Sequence, residues 1–543
     1  MTRAESSVLM EKALVMSSRF FCRCLVLLLV GLLMVWGEGY AQSNRKINTR
    51  ADLLEYDENW LPGAQRLLGH VVFQHENTIG YCDSAYYYED ENYLIAFGKP
   101  VRIHIGDSVQ LYGKKAYYSG NDRIASIARI VEMVHGTAHL YSDSLIYDLH
   151  QDVGYFLTGG TMINVEDTLS SLLGYYYTKS DEVLLMHDVF LNSASYTMDC
   201  DSLMYNTLRE TVYFISRTHM VSDENTIYTT SGWYETKTDL ATLVDDVELI
   251  NESQHLRADS VYYDKNQRYG IGWDNVVISD SVKGYVLKGN YVEHHELGGY
   301  STATDSNQLI LIDESKDSLF LHSDTLRILF DTLQEPQVIM AFNKVKFYRK
   351  DMQGACDSLS YNVKDSLITM YYNPVMWSGE NQLSADTITF FLKDSANVIV
   401  TLKKSSYIVS SMFEGQEFNQ IKGMTIEGHI TNKQLKTVYV FNNAECVYFI
   451  TDEDTALMGV NVSATSEMKI LLTDNEIDGI VFYNDPDGKI YPDKDLADKD
   501  RRLKDFRWLD FYRPETVEDL YVRPIPRVKG EEQSTLPPSD TSQ

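Results

Sequence analysis

The chain has 543 residues, 44% of them hydrophobic, and carries 78 acidic against 48 basic side chains, for a formal net charge of −30. That length and apolar content permit a large buried core and exclude a chain too polar to fold. The acidity disfavours nucleic acid and anionic membrane surfaces as direct partners, and leaves apolar ligands, proteins and divalent cations open.

The N-terminus reads as a secretory signal. Arg19 and Arg23 precede the apolar run Cys24 to Trp36, and small residues follow at Gly39 and Ala41. This predicts a signal peptide over residues 1–41, cleaved after Ala41. The apolar run is short of the roughly 20 residues that span a bilayer, and a retained anchor is the competing reading. Cys22 precedes the run and Cys24 opens it, so neither sits where a lipoprotein cysteine would.

After a polar lead-in over residues 42–60, strand patterning begins near Leu67. A unit of about 29 residues then recurs, marked by Asp-Ser-x-x-Tyr at Asp83–Tyr87, Asp143–Tyr147, Asp201–Tyr205, Asp259–Tyr263 and Asp357–Tyr361. Asp386–Phe390 is a looser copy, and half-matches end on Tyr118, Tyr176, Tyr234 and Tyr291. Such a period means stacked units, none able to bury its apolar face alone. Within the marker, the residues two and four after Asp are apolar, which is the period of a strand with one buried face. A second motif follows each turn, a polar residue and then an apolar-x-apolar step, as in Gly69–Phe73, His187–Leu191, Asp245–Leu249 and Asp274–Ile278. Gly, Asn and Asp ahead of the step suit a bend carrying the chain to the next strand.

The period loosens between about 295 and 350, where Thr302 to Lys316 is polar. The expected organisation is a first array over 42–295, a seam or insertion over 296–350, a second array over 351–490, and an end piece over 491–543. That end piece holds a short charged helix at Asp495 to Phe506 and a disordered tail from Pro524.

Nothing in the chain signals catalysis or a cofactor. G-x-S-x-G, H-E-x-x-H and a phosphate loop are missing from the sequence, and His294-His295 is a lone pair. The repeated Asp has two readings, a row of carboxylates for cations or sugars, or a residue that shapes the strand entry by bonding to backbone; the second is preferred. The tyrosines four after the marker Asp read as a core ladder with hydroxyls at the rim, and those of opposite parity, Tyr86 and Tyr262, as solvent-facing. Cys82, Cys200 and Cys356 share one repeat position just before the marker Asp and read, with Cys446, as buried thiols.

A secreted all-β array of Asp-Ser-x-x-Tyr, turn, and Gly/Asn/Asp-x-Val-x-apolar resembles the OstA/LptA-like periplasmic proteins of lipopolysaccharide transport. Leu68–Phe73 and Asp143–Tyr147 carry the resemblance best, and residues 420–449, 458–482 and 502–508 look like the large OstA-like members of Bacteroidetes-type bacteria. The resemblance implies an elongated roll of stacked strands, the β-jellyroll or β-taco, with an apolar groove for acyl chains. It also implies end strands that add like-folded partners. It departs from the family in its length, and no barrel-like run of strands follows residue 490.

The expected function is a non-enzymatic periplasmic or outer-membrane-associated bridge. Lipopolysaccharide is its cargo, bound through lipid A acyl chains, and like-folded transport proteins are its partners; homo-oligomers stay open. The expected groove residues are Leu145, Tyr147, Leu203, Tyr205, Val261 and Tyr263, assigned by parity. The rivals are a structural or adhesive solenoid with a filled core, and a carbohydrate-active β-helix enzyme with charged residues converging on one rung.

Overall fold

The computed structural model describes residues 46–522, apart from residues 60–61, 224, 313–315, 395, 433, 453–455, 474–475 and 485. The expected signal peptide and the tail from Pro524 lie outside the described residues. The described chain is all-β, with 38 strands and five single-turn 3-10 helices. Two compact units are present: residues 1–107 with 113–126, and residues 108–112 with 127–543.

One repeat shows how the sequence makes the fold. Leu240–Ile250 pairs antiparallel with Gln254–Asp264. Between them, the Asn251 carboxamide oxygen accepts from the backbone N–H of Ser253 and of Gln254, at 3.2 and 2.8 Å, and so fixes the hairpin turn. Midway along the first strand, Asp245 and Asp246 take φ of 60° and 52°, and the register slips between Val244 and Val247. Two consecutive left-handed residues re-aim the strand while it stays paired with the same neighbour. The same doublet recurs at Gly69-His70, His187-Asp188, Asp274-Asn275, Asn343-Lys344 and Asn442-Asn443. Gly, Asn and Asp are enriched there because they reach this conformation at the lowest cost. The bend therefore does not carry the chain to a new strand, as the motif had suggested; it is a corner within one strand.

The marker Asp stands opposite these corners. Ser84 pairs with Leu68 and Cys82 with Val71, which leaves Asp83 facing the Gly69-His70 bend. Ser260 with Val244 and Ala258 with Val247 place Asp259 in the same way. The Asp83 carboxylate accepts from the Lys99 backbone N–H at 3.1 Å, and that of Asp259 from the Asn275 side-chain amide at 2.8 Å. In these two repeats the Asp is a mid-strand residue bonded to the next strand, whereas Asp201 lies 3.2 Å from His187 in the corner it faces.

Within each unit, alternate residues on both sides of the corner point inward. In the first unit Leu67, Val71, Phe73, Ala85, Leu94, Ile103 and Tyr118 are buried. Aromatic rings close over glycines of the neighbouring strand: a Cβ added at Gly80 would lie 1.9 Å from the Phe73 ring. In the second unit one added at Gly174 would lie 2.3 Å from Phe156, and one at Gly354 2.3 Å from Phe347. Only glycine leaves room for these rings.

Two expectations about organisation change. Among the described residues of 296–350 the ladder of paired strands continues. Tyr285–His295 pairs with both Tyr300–Thr304 and Gln308–Ile312. Those strands pair onward with Thr325–Phe330 and Ser318–His322, and both of these meet Pro336–Arg349. The longer spacing is absorbed in turns while the ladder continues. Nor is there an α-helix over Asp495–Phe506, only 3-10 turns at Asp493–Asp495 and Asp498–Asp500. The residues that follow run as a strap whose backbone N–H and C=O groups bond to buried glutamines. An α-helix would have used those groups internally.

Candidate functional site

The inward face of the second unit carries a continuous apolar file on one side of the corners. In cross-strand register it runs Met198, Met220, Ile227, Leu249, Leu256, Ile278, Leu287, Leu309, Leu321 and Phe347, one side chain per strand. Ten strands spaced about 4.8 Å apart make this file roughly 43 Å long. Its ends are buried, at Met198, Leu287, Leu309, Leu321 and Phe347. Its middle, Met220, Ile227, Leu249, Leu256 and Ile278, is half-buried, so apolar surface stays open there over about 19 Å.

On the other side of the corners the inward file at the same strands reads Tyr234, Ala241, Tyr263, Gly270 and His294. Small residues, Ala241 and Gly270, flank Tyr263 in it. The Tyr263 ring is in ordinary contact distance of a Cβ placed at Gly270, 3.5 Å, with no overlap of the kind seen at Gly174. Tyr263 keeps 38% of its surface exposed. His294 lies within 2.8 Å of the Ser301 hydroxyl, and burial lowers its pKa.

Elsewhere the two inward files meet and bond. In the first unit His75 Nδ1 and Tyr118 Oη are 2.9 Å apart. In the second, His135 Nδ1 and Tyr176 Oη are 2.9 Å apart, Tyr147 Oη reaches Thr178 Oγ1 at 2.8 Å, and Tyr205 Oη donates to Asp167 at 2.9 Å while accepting from Asn164 at 3.0 Å. Burial pushes the Tyr118 and Tyr176 phenols up to about 12, so they stay neutral. Tyr196 and Tyr234 continue the contact edge to face at 5.4 Å. Beyond the open stretch, Leu287, Leu309, Ala303 and Leu326 are buried. The half-open stretch is thus flanked by closed interior on both sides.

The six residues expected from parity fall unevenly on this pattern. Leu145, Tyr147, Leu203 and Tyr205 are at most 1% exposed and Val261 is 5% exposed, so they fill the core; Tyr263 alone has open surface. Tyr86 and Tyr262, expected to face solvent, are half-buried. The half-open aliphatics were missed, although Leu249 and Ile278 are the second apolar residue of the quoted Asp245–Leu249 and Asp274–Ile278 steps. Parity locates the inward side of a strand; it does not say how far apart the two inward sides stand.

Other chemistry is sparse. Among the described residues no cluster of His, Cys, Asp and Glu is arranged to hold a metal ion. Cys82, Cys200, Cys356 and Cys446 are unpaired, and burial raises each thiol, to about 12, 11, 12 and 12. A cleft of about 220 Å³ lined by Arg66, Ser84, Ala85, Tyr86 and Phe97 lies in the first unit. It is smaller than ordinary small-molecule pockets.

A family model described as OstA-like protein matches residues 44–201 and 185–259, and one described as LptA/(LptD N-terminal domain) LPS transport protein matches residues 312–396. Among solved structures the chain is similar to LptH of Pseudomonas aeruginosa, the LptA-homologous periplasmic component of its lipopolysaccharide transport device. The identity is 17%, over 20% of this chain and 80% of that one, with a TM-score of 0.19. No curated protein matches. The two family matches together span more than half the chain, and they fall on the all-β repeats described above. The chain belongs to the OstA/LptA-like lipopolysaccharide-transport family.

Proposed function

We propose that this protein is a non-enzymatic periplasmic bridge for lipopolysaccharide, and that it shelters acyl chains against the apolar file centred on Leu249 and Leu256. Family membership supports the transport role. The half-open run Met220, Ile227, Leu249, Leu256, Ile278, facing the small residues Ala241 and Gly270, supports the position of the site. Each CH₂ removed from water gains about 0.8 kcal/mol, so a chain laid along five strands is held by contact area alone and needs no catalytic group. Tyr263 and Val261 fall inside this stretch. Leu145, Tyr147, Leu203 and Tyr205 pack the closed interior beside it. In this reading the acidic exterior stays in water, and like-folded transport proteins join at the end strands by strand addition.

The rival reading, a structural solenoid with a filled core, draws on the closed interior around Tyr147 and Tyr205. Photo-crosslinking to lipopolysaccharide separates the two. A benzophenone side chain is placed at Leu249, Leu256 or Tyr263, with Tyr205 as the closed-interior position and Tyr86 as the outer control. Crosslinks confined to the first three support the lipid site. A folded protein with no crosslink at any of them, or with crosslinks only at Tyr86, overturns it.

A further inference from the structure

The strap that follows the last strand, Asp487–Tyr491, packs on the face of the sheet turned away from the core. Leu503, Phe506 and Trp508 lie on Tyr407, Val409 and Phe418, while Leu496 and Leu503 pack against the group formed by Val447, Phe449 and Val460. The sheet face beneath it carries Gln420, Val409, Gln382, Trp377 and Gln353 in one cross-strand register, a glutamine on every second strand. These glutamines are 0%, 0% and 4% exposed. Burying three carboxamides is costly unless each is bonded, and each is bonded to the strap.

The bonding repeats. Gln420 donates to the Arg501 carbonyl at 2.8 Å and accepts from the Leu503 N–H at 2.8 Å. Gln382 donates to the Arg507 carbonyl at 2.8 Å and accepts from the Leu509 N–H at 2.6 Å. Gln353 accepts from the Arg513 guanidinium at 2.9 Å. Residues 501, 507 and 513 are all Arg, and the segments Arg501-Arg502-Leu503-Lys504-Asp505-Phe506 and Arg507-Trp508-Leu509-Asp510-Phe511-Tyr512 share their pattern. The strap therefore advances six residues for every two strands. Glu417 takes both Arg501 and Arg502 at 2.7 and 2.9 Å, and Lys346 donates to the carbonyls of Asp519 and Val522.

No strand follows Asp487–Tyr491 among the described residues, so the strap is held by side chains and its release breaks no sheet pairing. We propose that this outer face is a peptide-binding groove in which Gln382 and Gln420 read the main chain of a six-residue repeat and Gln353 reads its arginine side chain. We propose further that it accepts residues 493–522 of a second copy of this chain in place of its own. The second copy is the occupant the structure favours, because it carries the one segment already shown to match the groove in register, charge and apolar contacts. The exchange would link copies without using any sheet edge.

The test uses two full-length variants lacking Cys22 and Cys24. One carries Lys422→Cys on the groove, the other Lys504→Cys on the strap; in one chain the Lys422 ammonium lies 2.8 Å from the Lys504 carbonyl. The two are mixed at high concentration and oxidised mildly. A disulfide-linked 1:1 heterodimer is expected. Absence of the heterodimer while both variants remain folded overturns the exchange. Gln382→Ala would weaken the groove's hold on its own strap and on the incoming one alike, so excess synthetic peptide spanning residues 499–513 tests the reading role of the glutamines. It should suppress the heterodimer, and a peptide with Leu503 and Leu509 N-methylated should not; equal suppression by both removes main-chain reading.

Discussion

Phe156 and Gly174 test how the interior is closed. Phe156 is 1% exposed, and its ring lies over both Gly160 and Gly174. Truncation to Ala removes a fully buried ring and should cost about 3–5 kcal/mol. Gly174→Ala puts a methyl 2.3 Å from that ring and 3.2 Å from Leu185, in a strand where Ala has no conformational penalty, and should cost about 1–3 kcal/mol by overpacking. In the double variant the new methyl enters the space the ring has left. The combined loss should then fall short of the sum by about 1–2 kcal/mol. Because the chain has two compact units, global unfolding need not be two-state, and the suitable assay is local. Native-state hydrogen exchange of the amides in Leu173–Tyr177 and Glu182–Asn192 reports opening at this site. Additivity within about 0.5 kcal/mol would show that ring and glycine do not share one space, and the account of the closed interior would fail.

Three further outcomes follow from other parts of the molecule. Gln420→Ala leaves the Arg501 carbonyl and Leu503 N–H without their buried partner and should loosen the strap by about 1–3 kcal/mol, read as faster exchange at Leu503 with Leu169 unchanged. Burial lowers the pKa of His135 and of His294 below the unfolded value near 6.5, so each contributes stability that is complete above about pH 6.5 and is lost as pH falls through it. The urea midpoint should drop between pH 7.5 and 5, and His294→Gln should reduce that drop; a midpoint that rises on acidification contradicts the sign. Cys82, Cys356 and Cys446, raised to about 12, should resist a thiol reagent at pH 8 until the protein unfolds, and half-buried Cys200 should react before them.

Much of the architecture was legible because strand repeats write themselves in residue types. Asp-Ser-x-x-Tyr fixed the inward parity of Leu145, Tyr147, Leu203 and Tyr205, and the core places all four inside. Gly, Asn and Asp marked the bends, yet their role in mid-strand was hidden, because a left-handed doublet reads the same whether the chain then turns away or continues with its old partner. The strap was misread as a helix for a related reason. Its charged and apolar residues alternate in a way a short helix tolerates, and the glutamines that hold it lie some 80 to 160 residues away along the chain.

What the sequence withheld at the site was distance, and side-chain size supplies it once the pairing is known. Around Tyr147 to Tyr205 the inward positions hold Phe156, Met162, Tyr176 and Leu185, and the hydroxyls meet polar partners across the interior. Around Tyr263 the same positions hold Ala241, Gly270 and Gly272. Tyr147 and Tyr205 are at most 1% exposed, whereas Tyr263 keeps 38% of its surface. Within the second unit, side-chain size at a few inward positions therefore decides where the interior is closed and where apolar surface stays open. Gly270→Phe should accordingly bury Leu249 and Tyr263 and reduce lipopolysaccharide crosslinking at Leu256, whereas the same change on the outer side, Ser84→Phe, should leave it unaltered; equal loss in both would trace the effect to folding and not to the space beside Tyr263.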